Sequence, residues 1–434
     1  MSVEKERLDS NNWQDWGPYV SNRQWGNVRE DYSSDGNAWN FTNHNNAESY
    51  SYRWGEEGIA GISDHKQLLC FALSFWNGKD KMIKERFFGL SNPQGNHGED
   101  VKELFYYLDN TPTHSYMKML YKYPINAFPY DDILQENAKR NKNDTEYEIV
   151  DTGIFDNDEY FDIFIEYCKA DRNDILVKVT AHNRSEIDAP LTVLPTLWFR
   201  NNWTWGYNKY KGQLNSYSND QVNIHHDSIE IKKLYSKSSG ETLFCENETN
   251  TPKIYGHSKK ENAFYKDGIN DFIIKKTPTV NPEKRGSKAA IAITKIIPAG
   301  KFEVFEFKLA SEEAHDPFDN FDNIFAERKN DANEFYKNIQ EEILSEDEKN
   351  VQRQAFAGLL WNKQFYHYNV GKWLKGDPNF NAPRNFKHYV RNVEWDHLHN
   401  KDIISMPDKW EYPWYATWDL AFHCVPYALI DANF

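Results

Sequence analysis

The chain has no long apolar run. Its most hydrophobic stretches, DILVKVTAHN and AAIAITKIIPAG, are short or broken by charge, well under the ~20 residues a membrane-spanning helix needs. The N-terminus, MSVEKERLDSNNW, lacks the apolar centre of a secretory signal. Cysteine is scarce: Cys70, Cys168, Cys245 and Cys424 lie far apart, without CxxC or metal-like spacing. That pattern fits buried free thiols in a reducing compartment rather than a disulfide framework, so the chain reads as cytoplasmic. The glycosylation tripeptides at Asn183 and Asn247 carry no weight without secretion. No Lys/Arg cluster interrupts a net charge of −15, which excludes nucleic acid and anionic membranes as expected partners. Also missing are the GxSxG elbow, the Walker loop, HExxH and the dinucleotide fingerprint. The commonest nucleophile, phosphate, zinc and nicotinamide chemistries go with them, and neither a cofactor nor a metal is expected.

Aromatic residues are what the chain has in excess. They make up 16% of 434 residues, with 15 tryptophans and 26 tyrosines, more than a packed interior requires. Flat π faces also stack on the C–H faces of sugar rings. The length predicts two or three domains. An aromatic arm spans 1–44 and is expected to dock on the rest through Arg23 and Arg29 on carboxylates; a plain packing role is its simpler reading. From 45 to 312, segments such as ELFYYLD, SYMKMLYKYP, YFDIFIEYCKA and FEVFEFKLA read as strands separated by short turns. Several alternate apolar with polar, which predicts an antiparallel β-sandwich without interposed helices. A helical linker follows over 313–344, with Ile324, Phe325, Phe335 and Ile339 at helical spacing. Ser345 stands three residues before Glu348, a capping-box spacing that starts a helix expected to reach Tyr368. A last helix is expected from about Thr417, kinked or shortened at Pro426.

Three constellations carry candidate chemistry. His97, Glu99, Asp100 and His114 are possible ligands, but their spacing matches no zinc or calcium pattern, and hydrogen-bonded loop residues are the default. Trp198, Trp203 and Trp205, with Arg200, form either a stacking platform or a seal at a domain boundary, the seal being the plainer alternative. The third, EYPWYATWDLAFHC at 411–424, concentrates Trp414, Tyr415, Trp418 and Phe422 around Asp419 and His423. Asp419 falls at the predicted start of a helix, whose dipole favours the carboxylate. An ionised Asp among rings can accept two sugar hydroxyls, and an N-cap or ion-paired role is the competing reading. Carboxylates with aromatics are the equipment of glycoside hydrolysis.

Longer blocks sharpen this. WGPYVSNRQWGNVREDYS, YRWGEEGIAGISD, GNHGEDVKE, LPTLWFRNNW and ISMPDKWEYPWYATWDLAFH resemble glycoside hydrolase family 63, the processing α-glucosidase I (mannosyl-oligosaccharide glucosidase) family, in its bacterial and lower-eukaryote branch. The resemblance implies a large N-terminal β super-sandwich followed, over 345–434, by the first helices of an (α/α)6 toroid. It implies an inverting α-glucosidase acting on a glucose-containing oligosaccharide, with Trp418 and Asp419 gripping glucose and Phe422 and His423 on the same wall. A twelve-helix toroid needs on the order of 400 residues, and about 90 follow Ser345. A truncated chain is therefore the expectation, with the acid and base beyond Phe434. A non-catalytic carbohydrate-binding or scaffold protein is the alternative, as is a phosphorylase or glucoamylase-like enzyme of the same plan.

Overall fold

The computed structural model describes residues 2–10, 12–23, 43–90, 94, 100–207, 210–258, 261–343, 345–381, 393–410 and 415–434. Two antiparallel sheets dominate it. One has six strands in the spatial order Trp16–Gly17, Ile59–Asp64, Leu69–Trp76, Ala189–Phe199, Lys288–Ile297, Glu241–Cys245. The other has nine: Arg285–Gly286, Gln213–Asn215, Gln221–His225, Lys233–Ser236, Phe302–Ala310, Asp174–Asn183, Tyr160–Asp171, Tyr116–Pro124, Leu104–Asn110.

Alternation along the strands sets which faces meet. Met117, Met119, Tyr121 and Tyr123 point inward from one strand, and Ile175, Val177, Val179 and Ala181 from another. Leu69, Phe71, Leu73 and Phe75 of the six-stranded sheet join the same core, with Phe71 edge-on to Tyr167 at 6.3 Å. Each such side chain, fully buried, contributes roughly 1.5–3 kcal/mol, so this interior is the main source of stability. The opposite face of the six-stranded sheet is buried as well. Leu194, Leu243 and Ala290 pack there beneath Ile269 and Ile273 of the Gly268–Lys275 helix.

Helices do interrupt the strand region, at Tyr130–Lys139, Thr251–Tyr255 and Gly268–Lys275. The first is amphipathic and buries Tyr130 and Ile133 against Phe88 and Phe128. YSYRWG, within the region expected to form strands, joins no ladder, although Tyr50, Tyr52 and Trp54 are buried.

The N-terminal segment docks through buried lysines. Lys169 Nζ donates to the carbonyls of Trp13 (2.5 Å), Trp16 (2.6 Å) and Thr113 (3.0 Å), and burial pushes its ammonium down to about 7. Lys409 Nζ donates to the carbonyls of Pro18 and Val20. Arg23 lies over the Trp410 ring at 5.3 Å, and Arg29 lies outside the described residues.

Beyond the sandwich, the Phe321–Ile339 helix covers part of the nine-stranded sheet, burying Phe321 and Phe325 against Tyr116 and Leu176. Ser345 and Glu348 form the expected capping box. The helix they start, Glu346–Trp361, lies along the edge strand Leu104–Asn110, where Arg353 pairs with Asp109 (2.6 Å) and Trp361 stacks on Tyr107 at 5.3 Å. It stops at Trp361 and not at Tyr368. Lys363–Asn369 instead forms a strand paired with His399–Ser405, because aromatic residues at alternate positions suit a strand as well as a helix. The final helix, Thr417–Ile430, contains Pro426 and packs Tyr427 and Ile430 against Phe335, Tyr336, Phe356 and Leu360. Among the described residues no helix is long and apolar enough to cross a membrane.

Candidate functional site

The final helix presents two unlike sides. Trp418, Phe422, Val425 and Leu429, spaced by four, three and four residues, form one outward stripe with exposures of 71%, 68%, 72% and 64%. At roughly 100° per residue they share a face opposite the buried Tyr427. Trp418 and Phe422 meet edge to face, ring centroids 6.0 Å apart. Asp419, in the first turn, and His423, one turn later, lie on the flank between stripe and core and are partly buried. His423 Nδ1 is 2.9 Å from Ser405 Oγ, at the end of the His399–Ser405 strand. Burial lowers the imidazole below its ordinary range while Asp419 opposes the shift.

Phe422 and His423, expected on one wall, therefore diverge, since consecutive residues of a helix point about 100° apart. Tyr415 is exposed and its ring lies 5.7 Å from that of Tyr366. Trp414 lies outside the described residues. Cys424 is exposed too, unlike Cys70, Cys168 and Cys245, which are buried free thiols.

A second cluster escaped sequence reading. On the outer face of the six-stranded sheet, Glu56, Glu57 and Glu85 converge with Arg86, Lys266 and Lys288 around a cavity of about 20 Å³, room for one water. Arg86 pairs with Glu57 (2.7 Å) and Glu85 (3.3 Å), and Lys288 with Glu85 (2.6 Å). Glu56 accepts from the Asn247 side-chain amide (2.9 Å) and the Asn201 backbone N–H (3.3 Å). Burial pushes its carboxyl up to about 7, against the pull of Lys266. Burial likewise lowers Lys266 to about 8. A carboxyl protonated near neutrality suits a general acid, but this cavity admits no sugar ring. The available signal was two adjacent glutamates inside an apolar stretch, SYRWGEEGIAGI.

The acidic loop residues separate in the same way. Asp100, Glu146 and Glu148 bring carboxylates within 4.8 Å of one another, a set that could hold a metal ion. Lys102 Nζ stands among them at 2.7, 3.4 and 2.9 Å, so an ammonium supplies the positive charge. Burial, and then a hydrogen bond with Glu146, raise Asp100 to about 8. His114 is buried at the Asn110–Tyr116 turn, 3.0 Å from Asn110 Oδ1, and His97 and Glu99 lie outside the described residues. The three tryptophans divide: Trp198 lines the Glu56 cavity, Trp203 donates its indole N–H to Glu248 (2.8 Å), and Trp205 is half-buried.

No family model matches the chain. It is 41% identical to the uncharacterized protein YMR196W of Saccharomyces cerevisiae, over all of this chain and 45% of that protein. The chain thus spans less than half the length of the relative it matches. Among solved structures it is similar to an enzyme assigned as a kojibiose phosphorylase from the human microbiome, at 9% identity, 84% and 38% coverage of the two chains and a TM-score of 0.23. A galactose mutarotase related enzyme from Lactobacillus acidophilus gives 8% identity, 58% and 96% coverage and a TM-score of 0.22. Overlays that slight carry no argument about fold or function, and the family resemblance rests on the quoted sequence blocks alone.

Proposed function

We propose that the chain belongs to a carbohydrate-active enzyme, an inverting α-glucosidase of the family 63 type, in which the open side of the Thr417–Ile430 helix forms one wall of a glucose pocket. The observation carrying this reading is the outward Trp418–Phe422 ring pair beside the partly buried Asp419. Ring faces left in water pack against sugar C–H groups, and a carboxylate at a helix N-terminus accepts sugar hydroxyls without needing protonation. The helix holds a single carboxylate, whereas inversion requires an acid and a base about 6.5–9.5 Å apart. Both are assigned to polypeptide beyond this helix.

That single carboxylate also favours a second reading, a carbohydrate-binding module without hydrolysis. Free glucose release from a panel of α-linked glucose disaccharides, assayed with this chain and with the full-length yeast relative, tests the first. Release of the β anomer by the longer protein is the expected result. Glucose 1-phosphate formed only with added phosphate replaces hydrolysis by phosphorolysis, and disaccharide binding without any product establishes the binding reading.

A further inference from the structure

A cleft of about 310 Å³ opens at the end of the Ala189–Phe199 strand, within the range of small-molecule sites. It owes nothing to the final helix. Its walls include Phe199, Trp203, Tyr210 and His226. His226 stacks on Phe199 (5.4 Å between centroids, 24° between planes), and Tyr210 meets His226 edge-on at 4.9 Å. Gly212 permits this arrangement, because a Cβ there would stand 2.6 Å from the Phe199 ring. Trp203 is half-buried and Tyr210 exposed, so both offer ring surface to the opening.

Arg200 lines the same cleft and is 6% exposed. Its Nε donates to the Gln67 carbonyl (2.9 Å), and its guanidinium lies over the Phe365 ring at 5.3 Å. Among the described residues that Nε bond is the side chain's one hydrogen bond, and its two terminal nitrogens have none. A cation this buried is ordinarily held by a carboxylate. The groups that face it electrostatically are Glu56, Cys70 and Asp64, none within ion-pair distance. Lys401 is lowered by its burial and then by Arg200, Lys66 and Lys372. His367 is held down near 2 by burial, Arg200 and Lys401. Among the described residues the acid lining the cleft is Asp227, which is exposed and whose backbone N–H donates to Tyr210 Oη (3.2 Å).

A planar fork of free N–H donors matches the paired oxygens of a carboxylate or phosphate. A neutral hydroxyl can accept from it too, but brings no opposite charge and no paired oxygens. The rings beside it fit the apolar face of a pyranose, and Asp227 can accept that ring's hydroxyls. We propose that this cleft binds a sugar carrying one anionic group, a hexose phosphate or a hexuronate, with the anion on the terminal nitrogens of Arg200 and the ring against Trp203 and Tyr210.

Titration calorimetry at low ionic strength with glucose 6-phosphate, glucuronate, glucose and inorganic phosphate tests the assignment. At least one anionic sugar is expected to bind tenfold or more tightly than both glucose and inorganic phosphate, and which one does identifies the anion as phosphate or carboxylate. Arg200→Gln should weaken that ligand at least tenfold. Tyr210→Ala, at an exposed position that leaves the fold intact, should weaken the anionic sugar several-fold and leave inorganic phosphate unchanged. Equal binding of glucose, equal binding of inorganic phosphate, no binding of either anionic sugar, or indifference to Tyr210→Ala would each overturn it.

Discussion

Arg86 and Arg200 are both buried beside the six-stranded sheet, 4% and 6% exposed, and their surroundings are opposite. Two carboxylates, Glu57 and Glu85, grip Arg86, and against the opposing effect of burial they hold its guanidinium above its ordinary value. Arg200 has one carbonyl and one ring, and burial leaves it below its ordinary value. The matched cluster leaves about 20 Å³, space for one water, while the unmatched arginine borders a cleft of about 310 Å³. Burial alone does not distinguish the two; what differs is whether carboxylates of the fold pair with the guanidinium.

The largest test of that contrast is Arg86→Met. Removing Arg86 takes its charge away from the buried Glu57, while Glu85 keeps Lys288 (2.6 Å); breaking a buried pair in this way costs about 3–5 kcal/mol. Urea unfolding should show the loss, and a loss below about 1 kcal/mol would mean that the cluster is hydrated. Next in size is Glu56→Gln. The folded protein keeps the Glu56 proton up to about pH 7, whereas the unfolded chain releases it near 4.5. This group's contribution to stability is therefore fully present below about pH 4.5 and is lost as pH rises through 7. Glutamine does not titrate, so the variant should match the parent at pH 4.5 and exceed it by up to roughly 3 kcal/mol at pH 8. A difference independent of pH would place the carboxyl in an ordinary ionised state.

Arg200→Gln should cost less than Arg86→Met, no more than about 2 kcal/mol, since it forfeits one charged hydrogen bond while removing an unpaired cation. Equal losses would erase the distinction. Smallest is Trp418→Ser on the open stripe, expected within about 0.5 kcal/mol of the parent in unfolding. If the stripe is a sugar wall, the same change should weaken sugar binding by at least tenfold in the longer protein. Unfolding that responds strongly, with sugar binding untouched, would make Trp418 a packing residue.

Much of the fold was readable because its signals are local. The alternation in SYMKMLYKYP, the Ser345–Glu348 capping box and the helix from Thr417 all depend on neighbours within a few residues. Local signals failed where two periods compete. KQFYHYN continues an apolar helical run, yet pairs with HNKDIIS, a largely polar segment that offers no strand signal of its own. The site was legible in part: WDLAFH marked the final helix, but its separation into an outward ring pair and an inward His423 follows from helix phase against the Phe335–Leu360 cluster. Arg200 and Glu56 were visible only as residue types.

By itself the sequence determined a β-rich chain with a helical end, its acidic balance and its surplus of aromatic rings, since composition and short-range periodicity express backbone preferences directly. Tertiary structure alone decided which buried charges found partners. Glu85 meets Lys288 across 203 positions, Lys409 reaches Pro18 across 391, and among the described residues Arg200 forms an ion pair with no acid. Such pairings depend on how distant strands register in space, and nothing within a few residues of any of these side chains encodes that.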